Sequence, residues 1–401
     1  MFPVRRCILL AALGLILATT ACGGGGRAGV SWADLTLVGE ENYILVSYND
    51  YMVLIDPANG TPVQLRDNTG QIRTNADGSP RQWEIVGRDT KSRFFTTPLW
   101  LDEERLLVLD YERRLLVVSF ADACLSNLGG ACVDNYTQIA LPGRGIADMA
   151  SANGRIFVAL SEDGLIAFDL ENLDTGEPTW TFGTDRGVWA APVVVDDGVY
   201  FSGMDHYLYA VNGTTGEQLW RVDLGSALVA APLYYAGGEG EDATPRLYVS
   251  SLGRKIFEIS IINGVGEITA EYLTEDWVWS TPVLFESVLY VTDMGGYIYA
   301  LDSNNQLAEL WKVNINAGGI RPSPLVVDNY VIVASRNGRV SWRDRATGDE
   351  VLFQDVNAEI LAELLLVERA DETLVVVSTV KKEKTLVAFT LEGAPRWTYQ
   401  R

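Results

Sequence analysis

The chain has 401 residues, of which 48% are hydrophobic and 21% charged, so it contains enough apolar side chains to form a folded core. Its 53 acidic residues outnumber its 31 basic residues and give a formal net charge of −22, which argues against nucleic-acid binding. The single His disfavours His-based catalysis and a His-rich metal site.

The N-terminal segment has the features of an export signal. Arg5 and Arg6 precede an apolar run over residues 8–18, which is too short to span a bilayer. The run leads through small residues to Cys22, and this pattern resembles the lipobox of bacterial lipoproteins, in which the Cys is acylated and becomes the mature N-terminus. Thr19 departs from the lipobox, which usually has an aliphatic residue three places before the Cys.

We therefore expect a signal peptide over residues 1–21, followed over residues 22–29 by a lipidated Cys22 and a flexible, Gly-rich tether. The mature protein would be exported and lipid-anchored to a bacterial membrane, facing the periplasm or the cell exterior. Its acyl chains would hold it there, because anionic headgroups repel an acidic surface. An ordinary cleavable signal, or an uncleaved anchor, is the alternative, and Cys22 would then be incidental.

Two further cysteines, Cys124 and Cys132, lie in a loop-like stretch rich in small and polar residues. An even pair in an exported chain favours a disulfide over a redox or zinc site. The loop between them is short, so a disulfide here would pin the loop and add little stability.

The rest of the chain repeats one pattern. Residues 189–220 and 279–311 share the same order of Pro, apolar strand, polar turn, apolar strand, tight turn, Tyr-rich strand, Asp or Asn, and closing Trp. Start-to-start spacings of about 40 to 64 residues are typical of propeller blades. Eight copies begin at or near Trp32, Thr97, Asp148, Trp189, Ala231, Trp279, Ser323 and Glu363.

Each copy predicts four short strands, with two-residue turns between the second and third. The predicted turns are Asn49–Asp50, Asp205–His206, Gly295–Gly296 and Asn337–Gly338. His206 is therefore expected to be a surface turn residue. The pattern predicts an all-β fold over residues 30–401: a single eight-bladed β-propeller of four-stranded antiparallel blades.

The repeat resembles that of the quinoprotein-type (PQQ-like) β-propeller superfamily, whose tryptophan-docking motif reads Ala-x-Asp-x-x-x-Gly-x-x-x-Trp. Residues 210–220 match it throughout, with Asn212 in place of Asp, whereas the copy that starts at Asp344 has Leu352 in place of Trp. The resemblance implies that docking tryptophans pack between adjacent blades and close the ring. The expected docking residues are Trp83, Trp180, Trp220, Trp311 and Trp397.

Other prominent residues begin their copies at or near the first strand. Trp189, Trp279 and Arg321 are expected either to line the central opening, as a candidate binding face, or to pack the inner strand. Aromatic side chains at these positions also allow a glycan or small-ligand sensor as an alternative function.

The superfamily includes PQQ- and calcium-dependent dehydrogenases, so an enzyme has to be considered. Many of those enzymes have a vicinal disulfide against the quinone, and this chain has no adjacent Cys pair. Residues 75–78 and 302–305 are loosely similar to calcium loops, but they lack a full ligand set and are expected to be turns. We therefore expect no catalytic residue, metal or cofactor, and a PQQ-dependent dehydrogenase remains the alternative.

A lipoprotein-like start joined to a cofactor-free propeller resembles the BamB-type outer-membrane assembly lipoproteins. The resemblance implies a non-catalytic interaction scaffold that is monomeric and binds an envelope protein, and the charge of the chain favours a basic partner surface. Insertions that distinguish individual blades are expected over residues 67–80, 124–132 and 237–245.

Overall fold

The computed structural model describes residues 34–39, 41–64, 71–86, 93–101, 105–119, 136–238 and 244–400. These residues form 33 β-strands and two short 3₁₀ helices, Leu170–Thr175 and Lys382–Lys384. No helix in the described part of the chain has the length and apolar character needed to cross a membrane. Cys22, Trp32, Cys124 and Cys132 lie outside the described residues, as do residues 1–33 with the expected signal and tether.

The strands form eight antiparallel sheets, and each sheet is made by one contiguous stretch of chain. The first sheet contains β1 (Asp34–Val38), β2 (Tyr43–Tyr48), β3 (Tyr51–Asp56), β4 (Thr61–Pro62) and β5 (Glu84–Val86), and the second contains β6 (Leu99–Trp100), β7 (Arg105–Asp110), β8 (Arg114–Ser119) and β9 (Tyr136–Ala140). The third contains β10 (Ala150–Ala152), β11 (Arg155–Leu160), β12 (Gly164–Asp169) and β13 (Trp180–Gly183), and the fourth contains β14 (Val193–Val195), β15 (Gly198–Ser202), β16 (Tyr207–Asn212) and β17 (Gln218–Asp223). The fifth sheet contains β18 (Leu233–Tyr235), β19 (Arg246–Ser251), β20 (Lys255–Ile262) and β21 (Val265–Leu273), and the sixth contains β22 (Val283–Phe285), β23 (Val288–Thr292), β24 (Tyr297–Asp302) and β25 (Ala308–Asn314). The seventh contains β26 (Leu325–Val327), β27 (Tyr330–Ala334), β28 (Arg339–Asp344) and β29 (Glu350–Asp355), and the eighth contains β30 (Leu365–Glu368), β31 (Thr373–Ser378), β32 (Leu386–Thr390) and β33 (Pro395–Tyr399).

These sheets are the blades of an eight-bladed β-propeller, numbered here in chain order. Seven blades are four-stranded, and in blade 1 the outer strand is split, because β4 and β5 both pair with β3. The split accommodates part of the predicted insertion, in which Thr74 bridges to Pro80. The predicted fold class is therefore confirmed.

The hydrophobic core lies between the blades. Middle strands such as β11 and β12 are buried along almost their whole length, because each blade packs a neighbour on both faces. Outer strands such as β17 expose most of their residues. The described residues form eight apolar clusters, each combining side chains of two adjacent blades, so that one cluster fills every interblade interface.

The ring closes through side chains. Blade 8 is built entirely from the C-terminal stretch and blade 1 from the N-terminal stretch, so the two ends of the chain share no sheet. They meet in a cluster that includes Ile44 and Tyr51 of blade 1 and Leu374 and Val376 of blade 8. Closure of the ring therefore depends on packing at this interface.

The predicted hairpin turns are correct at one position and wrong in length at three. Asn49 and Asp50 alone connect β2 to β3, and Asn49 has a φ of 54°. The turns near His206, Gly296 and Gly338 are instead three-residue loops, whose last residue has a φ of 82°, 83° and 91° respectively. In the first of them Gly203 N donates to Tyr207 O and His206 N donates to Gly203 O, the pattern of a type I turn followed by a left-handed residue.

Candidate functional site

The segments that lead into the inner strands surround a central cavity of about 240 Å³. Trp189, Trp279 and Arg321 all line it, so the structure brings together the three residues that the sequence placed at the starts of separate copies. The guanidinium carbon of Arg321 lies 5.1 Å from the centre of the Trp279 ring. That geometry allows a cation–π contact across the boundary between blades 6 and 7.

Two positions of the repeat, two residues apart in sequence, supply much of the channel lining, and blades 3, 4, 5, 6 and 8 contribute both of them. The first channel position holds Phe95, Ile146, Trp189, Val229, Trp279, Arg321 and Leu361 in blades 2 to 8. The second channel position lines the cavity with Asp34, Asp148, Ala191, Ala231, Thr281 and Glu363 in blades 1, 3, 4, 5, 6 and 8. The same repeat therefore presents different chemistry around the channel.

The two halves of the channel differ in charge. The carboxylates of Asp34, Asp148 and Glu363 come from blades 1, 3 and 8, which lie on one arc of the ring. Trp189 and Arg321, together with Trp279, come from blades 4, 7 and 6 on the opposite arc. The channel therefore has an acidic side facing a side made of indoles and one guanidinium.

Two of the carboxylates are fixed by hydrogen bonds across blade boundaries. Thr97 N of blade 2 donates to Asp148 Oδ1 of blade 3 at 2.7 Å. Ser323 N of blade 7 donates to Glu363 Oε2 at 2.7 Å, and Ser323 Oγ donates to Glu363 Oε1 at 3.2 Å. Asp34 Oδ1 accepts a bond from Leu35 N at 3.2 Å. These bonds hold the acidic side chains in place on the channel wall.

The channel shifts the ionisation of all four charged groups. Burial raises the pKa of Asp34 well above its usual range, and the charges of Asp148 and Glu363 raise it further. Burial also raises the pKa of Asp148, and it raises the pKa of Glu363 to about 7. The Glu363 side chain is exposed within the channel, where the surrounding protein solvates its charge less well than open solvent does. Burial lowers the pKa of Arg321 to about 10.

The expected docking tryptophans lie at the outer strands. Trp180 Nε1 donates to Gly213 O of the next blade at 3.0 Å, and Trp311 Nε1 donates to Arg345 O at 3.1 Å. Trp397 Nε1 of blade 8 donates to Pro57 O of blade 1 at 2.8 Å. Each accepting carbonyl belongs to the residue just after an Asp or Asn, and each indole also packs on the glycine four places after that Asp or Asn.

The other two docking candidates also lie between blades. Trp220 of blade 4 packs against Gly266 of blade 5, where an added Cβ would lie 2.6 Å from its ring. Trp83 is buried in the cluster that joins blades 1 and 2. Leu352, which replaces Trp in blade 7, packs on Gly393 of blade 8. All three contacts are consistent with the interblade role that we propose for this set.

The turn that contains His206 is held by its acidic neighbour. Asp205 is buried, and its Oδ2 accepts bonds from Tyr209 Oη at 2.8 Å and from Asp185 N at 3.1 Å. These bonds link blade 4 to the loop that follows blade 3. Within the described residues, no three His, Cys, Asp or Glu side chains come close enough together to hold a metal ion.

Sequence reasoning missed the acidic half of the channel. The repeat pattern marks Asp148 and Glu363 only as starts of copies, and it does not distinguish Asp34. A signal for them does exist in the sequence. Five second channel positions precede a proline, namely Thr97, Ala191, Ala231, Thr281 and Ser323, whereas the three acidic ones do not.

Eight antiparallel blades, with an indole on an Asx-x-x-x-Gly turn at three of their boundaries, define a β-propeller of PQQ-like repeats. A family model described as outer membrane protein assembly factor BamB matches residues 135–265 and 294–401, which is more than half of the chain. The chain belongs to this family.

Curated relatives of the same description are distant. The outer membrane protein assembly factor BamB of Kangiella koreensis is 23% identical over 219 residues, which are 49% of this chain and 50% of that protein. The BamB of Shewanella oneidensis is 24% identical over 251 residues, 51% of this chain and 62% of that protein. The chain thus matches about half the length of the first relative and less than two thirds of the second.

Solved structures share the fold at low sequence identity. BamB from Moraxella catarrhalis superposes with a TM-score of 0.59 at 13% identity, covering 90% of this chain and 97% of the other. The computationally designed Ika8 protein gives a TM-score of 0.63 at 13% identity, covering 90% and 98%. Saccharomyces cerevisiae Sqt1 gives 0.64 at 12% identity, covering 93% and 96%. These similarities establish the propeller fold and nothing more specific.

Proposed function

We propose that this protein is a non-catalytic, lipid-anchored scaffold of the cell envelope that binds a protein partner during outer-membrane assembly. The observation that carries the proposal is the BamB family match over more than half of the chain. Relatives in two organisms bear the name of an assembly factor. The propeller is suited to this role, because a rigid ring presents its surfaces and loops in fixed positions.

The outer rim of the propeller supports a role in protein binding. Large apolar side chains are exposed on the successive outer strands of blades 4 to 7, and exposed apolar surface is typical of interaction sites. They are Leu219, Val265, Ile268, Leu273, Leu310, Val351 and Phe353. We call these residues the apolar rim.

Cross-linking from the apolar rim tests the scaffold. The full-length protein is expressed in its envelope, cross-linked, and recovered by an affinity tag. A Leu273→Glu/Leu310→Glu variant should recover much less of the partner, because both side chains are more than half exposed on the rim, at 60% and 53%. Ile72→Glu is the matched control, since Ile72 is 41% exposed but lies in the insertion of blade 1. Equal partner recovery from all three proteins would contradict binding at this rim, and absence of any specific cross-link would contradict the scaffold.

Membrane attachment through Cys22 is part of the same proposal and has its own test. Cells fed an alkyne-labelled fatty acid should label the wild-type protein but not a Cys22→Ala variant, and the variant should leave the membrane fraction. Equal labelling of both proteins would rule out Cys22 as the acylated residue. Loss of label without loss of partner binding would separate the anchor from the scaffold.

The channel charge argues against the dehydrogenase alternative. PQQ is a tricarboxylate, and Asp34, Asp148 and Glu363 would face it across the cavity. When these acids are ionised, they repel the carboxylates of PQQ in this poorly solvated site, and Arg321 supplies one positive charge to offset the repulsion. The residues of the channel therefore do not fit this cofactor. Purified protein incubated with PQQ and Ca²⁺ should give no quinone-dependent dye reduction with alcohols or sugars.

A further inference from the structure

We propose that the central channel binds an organic ammonium compound between a wall that carries three carboxylates and an opposite wall that carries two indoles. The carboxylates belong to Asp34, Asp148 and Glu363, and the indoles to Trp189 and Trp279. This binding site goes beyond the scaffold function, which uses the outer rim, and the two can fail independently.

The first reason is charge balance. When its three acids are ionised, the channel wall carries two negative charges more than Arg321 neutralises. Among the described residues, Arg336 and Glu359 also act on Arg321, and these two neutralise each other in an ion pair of 2.7 Å. The excess negative charge lies inside the channel, where it is less well solvated than on the outer surface, so a cation from outside the chain would stabilise it.

The second reason is the hydrogen bonding of Asp34. Asp34 is partly buried at the channel wall, and among the described residues its side chain accepts a bond only from the adjacent amide of Leu35. A carboxylate offers about four acceptor sites. Asp34 lines the cavity and therefore has acceptor capacity directed toward it. An ammonium group supplies three N–H donors, which match this capacity.

The third reason is the opposite wall. Trp189 and Trp279 line the cavity across from the acids, and an indole face attracts a cation within about 6 Å of its centre. A bare metal ion is a poorer match, because no three metal-binding side chains in the described chain approach closely enough. The acids are instead spread over three blades, and an elongated organic cation can reach more than one of them.

The size of the cavity limits the ligand. At about 240 Å³ it lies below the usual range of drug-sized sites, which begins at about 300 Å³. A short diamine fits this space, and so does the end of a lysine side chain presented by a protein. Both carry the same ammonium chemistry, and the experiment distinguishes them.

Calorimetric titration of the full-length protein tests the site with three probes: 1,4-diaminobutane, N-acetyl-lysine amide and the uncharged 1,4-butanediol. We expect saturable binding of at least one amine and none of the diol. Binding should release protons, seen as a buffer-dependent enthalpy, because the cation favours the ionised form of Glu363, whose pKa is about 7. Affinity should therefore rise between pH 6 and pH 8.

Single substitutions show whether the acidic side and the aromatic side of the channel bind the amine. Glu363→Gln keeps the acceptor for Ser323 but removes one charge, and it should weaken amine binding about tenfold or more. Asp371→Asn is the matched control, because Asp371 is exposed in the same blade and paired with Arg369, and it should leave the affinity unchanged. Trp279→Phe should weaken binding less than Trp279→Ala, which keeps no ring. Unfolding curves of all the variants check that the ring is intact.

Each outcome decides the proposal. Saturable binding of the diamine alone assigns a free amine, and binding of the lysine derivative alone assigns a protein side chain. Diol binding as tight as amine binding, no saturable amine binding, or equal weakening by Glu363→Gln and Asp371→Asn would overturn the site. Mg²⁺ binding that displaces the amine and depends equally on Glu363 would replace ammonium by a metal ion. Partner cross-linking from the apolar rim is unaffected by any of these results.

Discussion

The two ends of each blade use the repeat differently. At the outer end, four blades place a small residue on the third strand opposite a Trp on the fourth: Ala167 and Trp180, Ala210 and Trp220, Ala300 and Trp311, and Ala388 and Trp397. At the inner end, the channel positions of the different blades hold acidic residues, tryptophans, an arginine and alanines. The outer pairs are nearly alike from blade to blade, whereas the inner residues differ.

The difference separates what closes the ring from what can recognise a ligand. An interblade contact has the same task at every interface, so one solution can be repeated. A channel formed by eight identical inner residues would have no sidedness, whereas this channel has an acidic and an aromatic half. Substitutions at the outer end should therefore cost stability and leave the channel chemistry intact. Substitutions at the inner end should do the reverse.

The largest effect is expected where the outer pair is inverted. In blade 7 Trp342 on the third strand faces Leu352 on the fourth, so the large and small residues have changed places. Trp342 is fully buried and packs edge-on against Phe389 of blade 8, with 5.6 Å between ring centres. Trp342→Ala should lower the free energy of unfolding by about 3 to 5 kcal/mol. Leu352→Trp should lower it by about 1 to 3 kcal/mol through overpacking.

The double variant Trp342→Ala/Leu352→Trp restores the pairing of the other blades, in which a small residue on the third strand faces a Trp on the fourth. Gly393 is the glycine on which the new Trp would pack. The loss of unfolding free energy in the double variant should be about 1 to 3 kcal/mol smaller than the sum of the losses in the two single variants. Denaturant unfolding of all four proteins measures the difference. Strict additivity would show that the inversion in blade 7 is not a compensated swap.

The closing interface comes next. Trp397→Ala removes the indole that bonds to Pro57 O and packs on Gly60, and we expect a loss of about 3 kcal/mol. The ends of the chain share no sheet, so blades 1 and 8 should also exchange their amide hydrogens faster. Trp277→Ala is the control, because Trp277 is 47% exposed. Similar losses for both variants would mean that Trp397 does not have a special role in closure.

A smaller effect separates backbone strain from docking. Gly216 and Gly225 have nearly the same φ, 73° and 74°, so Ala costs each about 1 to 2 kcal/mol in conformation. A Cβ at Gly216 would lie 2.7 Å from the Trp180 ring, whereas at Gly225 it would meet no atom within 4 Å. Gly216→Ala should therefore lower the unfolding midpoint further than Gly225→Ala. Equal shifts would show that the indole does not need the close approach.

The sequence predicted the fold well because the repeat is regular. Spacing and Pro, Tyr and Trp positions were enough to count eight blades, whereas for Trp189, Trp279 and Arg321 the sequence allows either a place in the central opening or a role in packing the inner strand. The acidic half was missed, because Asp34 and Glu363 lie far apart in sequence and meet only after the ring closes. The lengths of three hairpin loops were predicted wrongly, because residue types such as the Asn at position 337 occur in both two- and three-residue loops.

The smallest effect on stability is expected in the channel, where it should depend on pH. The pKa of Glu363 is raised to about 7 in the folded protein, above its usual value near 4.5, so the folded state holds this proton more tightly than the unfolded state. The stability that the proton contributes is fully present below about pH 4.5 and is lost as the pH rises through about 7. Glu363→Gln has no proton to lose, so it should flatten this part of the stability profile and leave the variant equal to or more stable than the wild type above pH 7. Urea unfolding of both proteins at several pH values between 4 and 8 measures the difference in slope. Parallel profiles would mean that Glu363 titrates normally and that the channel solvates its carboxylate, which would also weaken the case for an acidic wall that needs a cation.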